Sequence, residues 1–202
     1  MGVKIIDAYK LYKDARDASW RCLIDTGTAS MPVKVLKAAA FYGIKVVKDS
    51  NARYLKTGES GCTLLDGEGN WQIVYNDSEL RERTRFTIAH ELGHILLGHE
   101  LADGRGHYRT ASDRRESAET QADEFAVRLL APACVLWALN LQTADDIAAV
   151  CDISYTAAQF RSERMQLLRE RGKFLASPLE RQVYKSFEPW IEQQKRQKNP
   201  PE

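Results

Sequence analysis

The chain has 202 residues, of which 44% are hydrophobic and 28% are charged, and its net charge is +1. This length fits one sizeable core, or one domain with a small appendage, and the composition is ordinary for a soluble globular protein. The balanced charge gives no basis for predicting a nucleic-acid or membrane surface. We find no signal peptide, no myristoylation signal and no membrane-spanning run, and the four scattered cysteines form no CxxC pair, so we expect a soluble protein of the reducing cytoplasm.

The first part of the chain predicts two helices followed by a small sheet. Apolar residues recur at helical spacing over 4–24, and a second helix starts at Pro32 and ends before Gly43. The next segments have strand character: 43–49, 61–65 and 71–76. The sequence DGEGN between the last two is typical of a hairpin turn. We therefore predict a small antiparallel sheet over residues 43–76.

The rest of the chain is helical in pattern, which makes the predicted class α+β. Asp77 or Ser78 is placed to cap a helix that runs to about Gly98, and a polar loop follows over 100–115. Further helices are predicted at 116–130, 133–141, 144–151, 154–171 and 178–196.

Residues 90–94 read His-Glu-Leu-Gly-His, the HExxH pattern, inside one of these predicted helices. Residues four apart lie on one helix face, so the imidazoles of His90 and His94 can reach one metal ion. Glu91 can lie beside the ion without binding it and act as general base on a water molecule. Gly93 is unfavourable by about 1 kcal/mol inside a helix, which suggests a close approach of another element at that point.

A catalytic zinc site needs a third protein ligand and an open position. Glu119 and Asp123 are four residues apart on the next predicted helix, so both face the same way. We predict Glu119 as the third ligand and Asp123 as acceptor of the second ring N–H of a ligand histidine. Glu116 on the same helix competes with Glu119, as do His99 and His107 from the region of the polar loop.

Two blocks carry a family resemblance: RFTIAHELGHILLGH at 85–99 and ETQADEFAVRLLAP at 119–132. Together they resemble the ImmA/IrrE family of metallo-endopeptidases, whose members typically show rFtxAHELGHxxLH and then ExxA[ND]xFAxxLLMP. The similarity is clearest over about 43–132 and continues more weakly to about 168. Ala131 stands where the family usually has Met, a packing difference that we expect to be harmless.

The resemblance implies a zincin-like fold, with a small antiparallel sheet over the HExxH helix and Glu119 as third ligand. We therefore expect a metallopeptidase domain over 1–132 and a helical C-terminal region over 133–202. The resemblance also implies a zinc-dependent endopeptidase that cleaves a repressor or antitoxin-like DNA-binding protein. One zinc per chain is expected, although manganese or iron also suits His, His and Glu. The alternative is a non-catalytic regulator or toxin that acts by binding a partner protein or DNA.

Residues 143–168 have a helix-turn-helix-like pattern, with Ser154 as the predicted cap of the second helix. In a DNA reader this second helix would present Tyr155, Thr156, Gln159 and Arg161. The competing interpretation is a helical hairpin that packs as part of the fold. The nearly balanced charge of the segment argues against direct DNA binding.

Two further residues are predicted near the reacting groups. Tyr108 in the polar loop is a candidate donor to the oxyanion, and Asn76 is a candidate substrate contact ahead of the HExxH helix. If the strand 71–76 forms a sheet edge, an extended substrate can pair with it by strand addition.

Overall fold

The computed structural model describes the backbone of residues 2–51, 53–99 and 112–198, and the side chains of 10–51, 53–99 and 117–198. Within these ranges the chain is α+β, as predicted. The helices are α1 (Gly2–Asp25), α2 (Val35–Phe41), α3 (Arg81–Leu96), α4 (Ser112–Leu130), α5 (Ala133–Ala138), α6 (Ala144–Cys151), α7 (Tyr155–Glu170) and α8 (Pro178–Lys198). The strands are β1 (Lys45–Lys48), β2 (Gly61–Leu65) and β3 (Trp71–Tyr75).

The three strands form one mixed sheet in the order β1-β3-β2. β2 is antiparallel to β3, with Gly61 opposite Tyr75, which confirms the hairpin predicted from residues 66–70. β1 is parallel to β3, with Lys45 opposite Gln72. The prediction of a wholly antiparallel sheet is therefore wrong for β1.

Connection length explains the mixed sheet. A short turn such as 66–70 can join only antiparallel neighbours, whereas a connection of a dozen or more residues, such as 49–70, permits a parallel pair. β3 lies between the other strands, and its residues Ile73 and Val74 are fully buried. The idea that the strand 71–76 is a sheet edge is therefore wrong, and β2 occupies an edge position instead.

One compact unit comprises Met1–Ser19 and Val35–Ala126. In this unit α3 packs against β2 and β3, and α2 contacts both α3 and β1. The core residues of this unit are apolar and fully or almost fully buried, among them Ala39, Ile73, Ile88, Leu92, Ala122 and Phe125. The sheet therefore covers one side of the helix that carries the HExxH residues.

The start of α3 differs from the predicted capping. The helix begins at Arg81 after Leu80, and Leu80 makes no side-chain capping hydrogen bond, so capping by Asp77 or Ser78 is wrong. Instead, Asn76 Oδ1 accepts hydrogen bonds from the backbone N–H and the hydroxyl of Ser78, at 3.0 and 2.7 Å. This local turn engages the polar side chains ahead of the helix, in competition with capping.

The second compact unit comprises Trp20–Lys34 and Val127–Glu202. In it α6 packs against α7, and α5 against α8. Ser154 caps α7 by accepting a hydrogen bond from the Ala157 N–H, as predicted. The predicted division into domains 1–132 and 133–202 stays a prediction.

Arg161 corrects the list of residues predicted to face DNA. Its side chain is only 4% exposed, and its Nε and Nη2 both donate to the carbonyl oxygen of Ala131. A guanidinium held in this way is a structural anchor of α7 and does not face a groove. Tyr155, Thr156 and Gln159 are exposed.

Two findings concern membrane-spanning helices and the state of the cysteines. No helix of the described residues is both long and apolar enough to cross a membrane. All four cysteines are thiols, and Cys22, Cys134 and Cys151 are buried while Cys62 is half-buried.

Candidate metal centre and active site

Helices α3 and α4 bring three possible metal ligands to one point. Nε2 of His90 and Nε2 of His94 are 3.0 Å apart. Oε2 of Glu119 lies 3.2 Å from the first of these nitrogens and 3.6 Å from the second. One ligand atom from each of the three side chains lies within 4.8 Å of the other two. Such a spacing lets all three atoms bind the same ion.

The two helices can approach because α3 has Gly93 at their contact. A Cβ added to Gly93 would lie 2.9 Å from Cδ1 of Phe125, whose side chain is fully buried. The close approach that the sequence predicted at this glycine is confirmed. Because Gly93 has no side chain, α4, which carries Glu119, can pack closely against α3, which carries both histidines.

The outer nitrogen of His90 is bound by a carboxylate. His90 Nδ1 lies 2.8 Å from Asp123 Oδ1. An ionised carboxylate only accepts hydrogen bonds, so Nδ1 carries the proton, and in the neutral ring Nε2 is left with a lone pair. The structure thus places Asp123 where the predicted orienting role requires it.

The outer nitrogen of His94 faces a second histidine. His94 Nδ1 lies 2.8 Å from His99 Nδ1, and His99 Nε2 lies 3.2 Å from Gln121 Oε1. His99 therefore contacts the side of the His94 ring that points away from the cluster. Although the sequence offered it as a rival third ligand, this geometry engages its nitrogens elsewhere.

Glu91 lies on the face of α3 that the sheet covers, and only 7% of it is exposed. Thr63 Oγ1 on β2 donates a hydrogen bond to Glu91 Oε2 at 2.6 Å. Burial raises the pKa of Glu91, and the hydrogen bond from Thr63 opposes this rise. A carboxyl group with a raised pKa is suited to exchange protons near neutral pH.

Sequence reasoning missed both Thr63 and Gly61, which lie at this contact. A Cβ on Gly61 would collide with Cγ2 of Thr87 on α3, so only glycine lets β2 start this close to the helix. The alternation of inward and outward residues in β2 could have indicated that Thr63 faces the core. Nothing local pairs it with Glu91, which lies 28 residues away.

The charges of the cluster are strongly coupled. The adjacent imidazoles, His90 before His94, hold the pKa of Glu119 far below its usual range. Burial lowers the pKa of His94 to about 4. Burial acts in the same direction on His90, but the carboxylates of Asp123 and Glu119 outweigh it and raise the pKa of His90 to about 9. The centre therefore favours a positive charge.

The donor set fits a zinc ion. Two imidazole nitrogens and one carboxylate oxygen form a ligand set of catalytic zinc sites. The hydrogen bond to Asp123 turns the Nε2 lone pair of His90 toward the Nε2 atom of His94 and the carboxylate of Glu119. Lone pairs this close repel one another unless a proton or a metal cation lies among them. The Glu119 side chain is 44% exposed, which leaves one side of the cluster open.

The remaining predicted residues are not part of this cluster. Asn76 is engaged with Ser78 in the turn before α3, and its contact with a substrate stays a prediction. Tyr108 and His107 lie outside the described residues, and Glu116 lies on α4 with its side chain outside them.

A comparison with protein families matches the chain to a known family. The family model Peptidase M78, described as the IrrE N-terminal-like domain, matches residues 41–163. No curated protein matches the sequence. The matched range includes the sheet, α3, α4 and every residue of the cluster.

Proposed function

From the premise that the chain belongs to the Peptidase M78 family, we propose that it is a zinc-dependent endopeptidase whose active site comprises His90, Glu91, His94 and Glu119. The family itself supports a metallopeptidase. The observation that carries the finer proposal is the convergence of two imidazole nitrogens and one carboxylate oxygen beside a buried glutamate.

In this proposal His90, His94 and Glu119 would hold one zinc ion per chain, and manganese or iron would fit the same donors. The chemistry that a bound zinc supplies is Lewis acidity, which polarises a carbonyl group and makes water more acidic. Asp123 orients His90 through Nδ1 and so keeps its Nε2 lone pair available.

Glu91 is the proposed general base and then general acid. It accepts a proton from the attacking water and passes it to the leaving amine. Its raised pKa favours both transfers near neutral pH, because a carboxyl group with a usual pKa holds a proton too weakly. The hydrogen bond from Thr63 holds one of its oxygens in place.

The proposed substrate is an extended protein segment that pairs with β2. Among the described residues β2 pairs with β3 alone, and Thr63 ties this strand to Glu91. A segment added at this edge would lie beside the base. In line with the ImmA/IrrE resemblance, we propose a repressor or antitoxin-like DNA-binding protein as substrate and the cytoplasm as the compartment.

The test is cleavage by the zinc-supplied chain and by Glu91→Gln, with Glu82→Gln on the same helix as a matched control. Mass spectrometry of a peptide library and of repressor-type proteins would detect new termini. We expect Glu91→Gln to keep zinc and lose cleavage by about 10²–10⁴-fold, the usual contribution of a general base. The control should cleave like the wild type.

Substantial cleavage by Glu91→Gln would contradict the role of Glu91. A wild-type chain that holds zinc and binds a repressor without cutting it would replace the peptidase by a binding protein.

A further inference from the structure

A chain of hydrogen bonds leads from helix α1 to the cluster. The side-chain amide of Gln121 on α4 donates through Nε2 to the carbonyl oxygen of Leu11 at 3.2 Å. Its Oε1 lies 3.2 Å from His99 Nε2, and His99 Nδ1 lies 2.8 Å from His94 Nδ1. All four residues belong to the same compact unit.

The chemistry of these atoms allows one direction of donation. A backbone carbonyl oxygen can only accept, so the Gln121 amide must turn its NH₂ group to Leu11 and its oxygen to His99. That oxygen accepts from His99 Nε2–H, which leaves His99 Nδ1 as an acceptor. His94 Nδ1 must then carry a proton and donate it to His99. In the neutral His94 ring the lone pair is thereby at Nε2.

The end of helix α3 places His99 for this contact. Gly98 has a φ of +70°, the left-handed conformation that glycine adopts readily. The His99 N–H donates to the carbonyl of His94, and the Gly98 N–H to the carbonyl of Ile95. These two bonds form a Schellman motif, which folds the chain back over the last helical turn. The side chain of His99 consequently returns to His94.

We propose that Gln121 and His99 are positioning residues, which hold His94 in the tautomer whose Nε2 lone pair faces His90 and Glu119. His90 is oriented by a carboxylate, and His94 by a neutral relay that ends on a main-chain carbonyl. The inference rests on the proposed function, because that lone pair matters only if the cluster binds a metal ion. Outer hydrogen bonds of this kind typically change metal affinity by about 10–100-fold.

The test compares four variants of the full chain with the wild type. Gln121→Met and His99→Phe remove the relay, whereas Gln121→Glu keeps an oxygen acceptor for His99 Nε2–H. Thr120→Ala, at an exposed position of the same helix, is the control. Two quantities are measured: the protonation of the His94 ring nitrogens by ¹H–¹⁵N NMR of the metal-free chain at pH 8, and the zinc Kd by competition with a chelator.

We expect protonated Nδ1 and unprotonated Nε2 at His94 in the wild type, in Gln121→Glu and in Thr120→Ala. In Gln121→Met and His99→Phe the proton should distribute over both nitrogens, and the zinc Kd should rise about 10–100-fold. The contrast between Glu and Met at position 121 separates a relay from packing, because both variants lose the bond to Leu11. If His99→Phe does not fold, the two Gln121 variants decide.

An unchanged tautomer and an unchanged Kd in Gln121→Met and His99→Phe would overturn the relay, even if the wild type binds zinc and cleaves protein. A wild-type chain that binds no zinc but shows the expected tautomer changes would refute the proposed function and leave the hydrogen-bond relay in place.

Discussion

Two pairs of helices carry polar side chains inward, and they use them differently. Between α3 and α4 the polar atoms of His90, His94 and Glu119 converge on one another, and each histidine has its outer nitrogen bound. In the helical segment α6–α7, Arg161 is buried, and its guanidinium donates to the backbone carbonyl of Ala131. The first arrangement brings three potential metal-ligand atoms together, whereas the second provides hydrogen-bond donors to the carbonyl oxygen of Ala131.

This difference separates a site from a structural anchor. A buried polar group that completes a hydrogen bond stabilises the fold, and its removal reduces stability. A group whose lone pair faces other potential ligand atoms can bind a metal ion. Variants of the metal cluster should therefore change metal binding, whereas variants of Arg161 should change the free energy of unfolding.

The largest expected effect is at Glu119. Glu119→Ala removes one of three ligand atoms, so the zinc Kd should rise by more than about 100-fold, beyond the usual effect of residues around a site. Chelator competition measures this, and Glu116→Ala on the same helix is the control, with an unchanged Kd. The opposite result, a loss of zinc affinity in Glu116→Ala alone, would identify Glu116 instead of Glu119 as the third metal ligand.

The next largest effect is expected at Arg161, which we interpret as a structural anchor. Arg161→Met leaves the Ala131 carbonyl without its charged donor, and we expect about 1–3 kcal/mol less free energy of unfolding. Urea denaturation measures the change. Zinc affinity should stay at the wild-type value. A fully stable variant that has lost binding to a DNA probe would reverse the interpretation of Arg161.

The smallest effect is expected at Asp49, whose carboxylate accepts several backbone hydrogen bonds. It accepts hydrogen bonds from the backbone N–H groups of Arg53, Tyr54 and Leu55. Burial alone would raise the pKa of Asp49, but these donors lower it below the ordinary value of an aspartate. A lowered folded-state pKa means that the stabilisation is present above about pH 4 and is lost as the pH falls through the folded pKa.

Amide hydrogen exchange at Leu55 measures this local stabilisation. Asp49→Ala should exchange faster than the wild type at pH 5, and the difference should shrink as the pH falls below the folded pKa. Equal exchange at pH 5 would show that the three backbone bonds do not depend on the carboxylate.

The part of the site that sequence could predict is the part set by helical spacing. His90 and His94, and likewise Glu119 and Asp123, are four residues apart, and helical geometry alone puts each pair on one face. The hairpin and the Ser154 cap were also predictable, because a few neighbouring residues determine them.

The parts that sequence could not predict depend on contacts between distant segments. The parallel pairing of β1 and the central place of β3 follow from how a long connection crosses the sheet. Thr63 reaches Glu91 only through that sheet. The contact of His99 with His94 depends on the conformation of Gly98. The sequence identifies Gly98 as a glycine that ends the helix, but it does not show the direction of the His99 side chain.

The most direct test of the account is the metal content of the purified chain beside that of His94→Ala. We predict about one zinc per wild-type chain and its loss in the variant, with both chains folded, because His94 supplies one of the three converging ligand atoms. A folded wild-type chain that holds no metal after zinc is supplied, or a variant that keeps all of its zinc, would contradict a metal centre at this site.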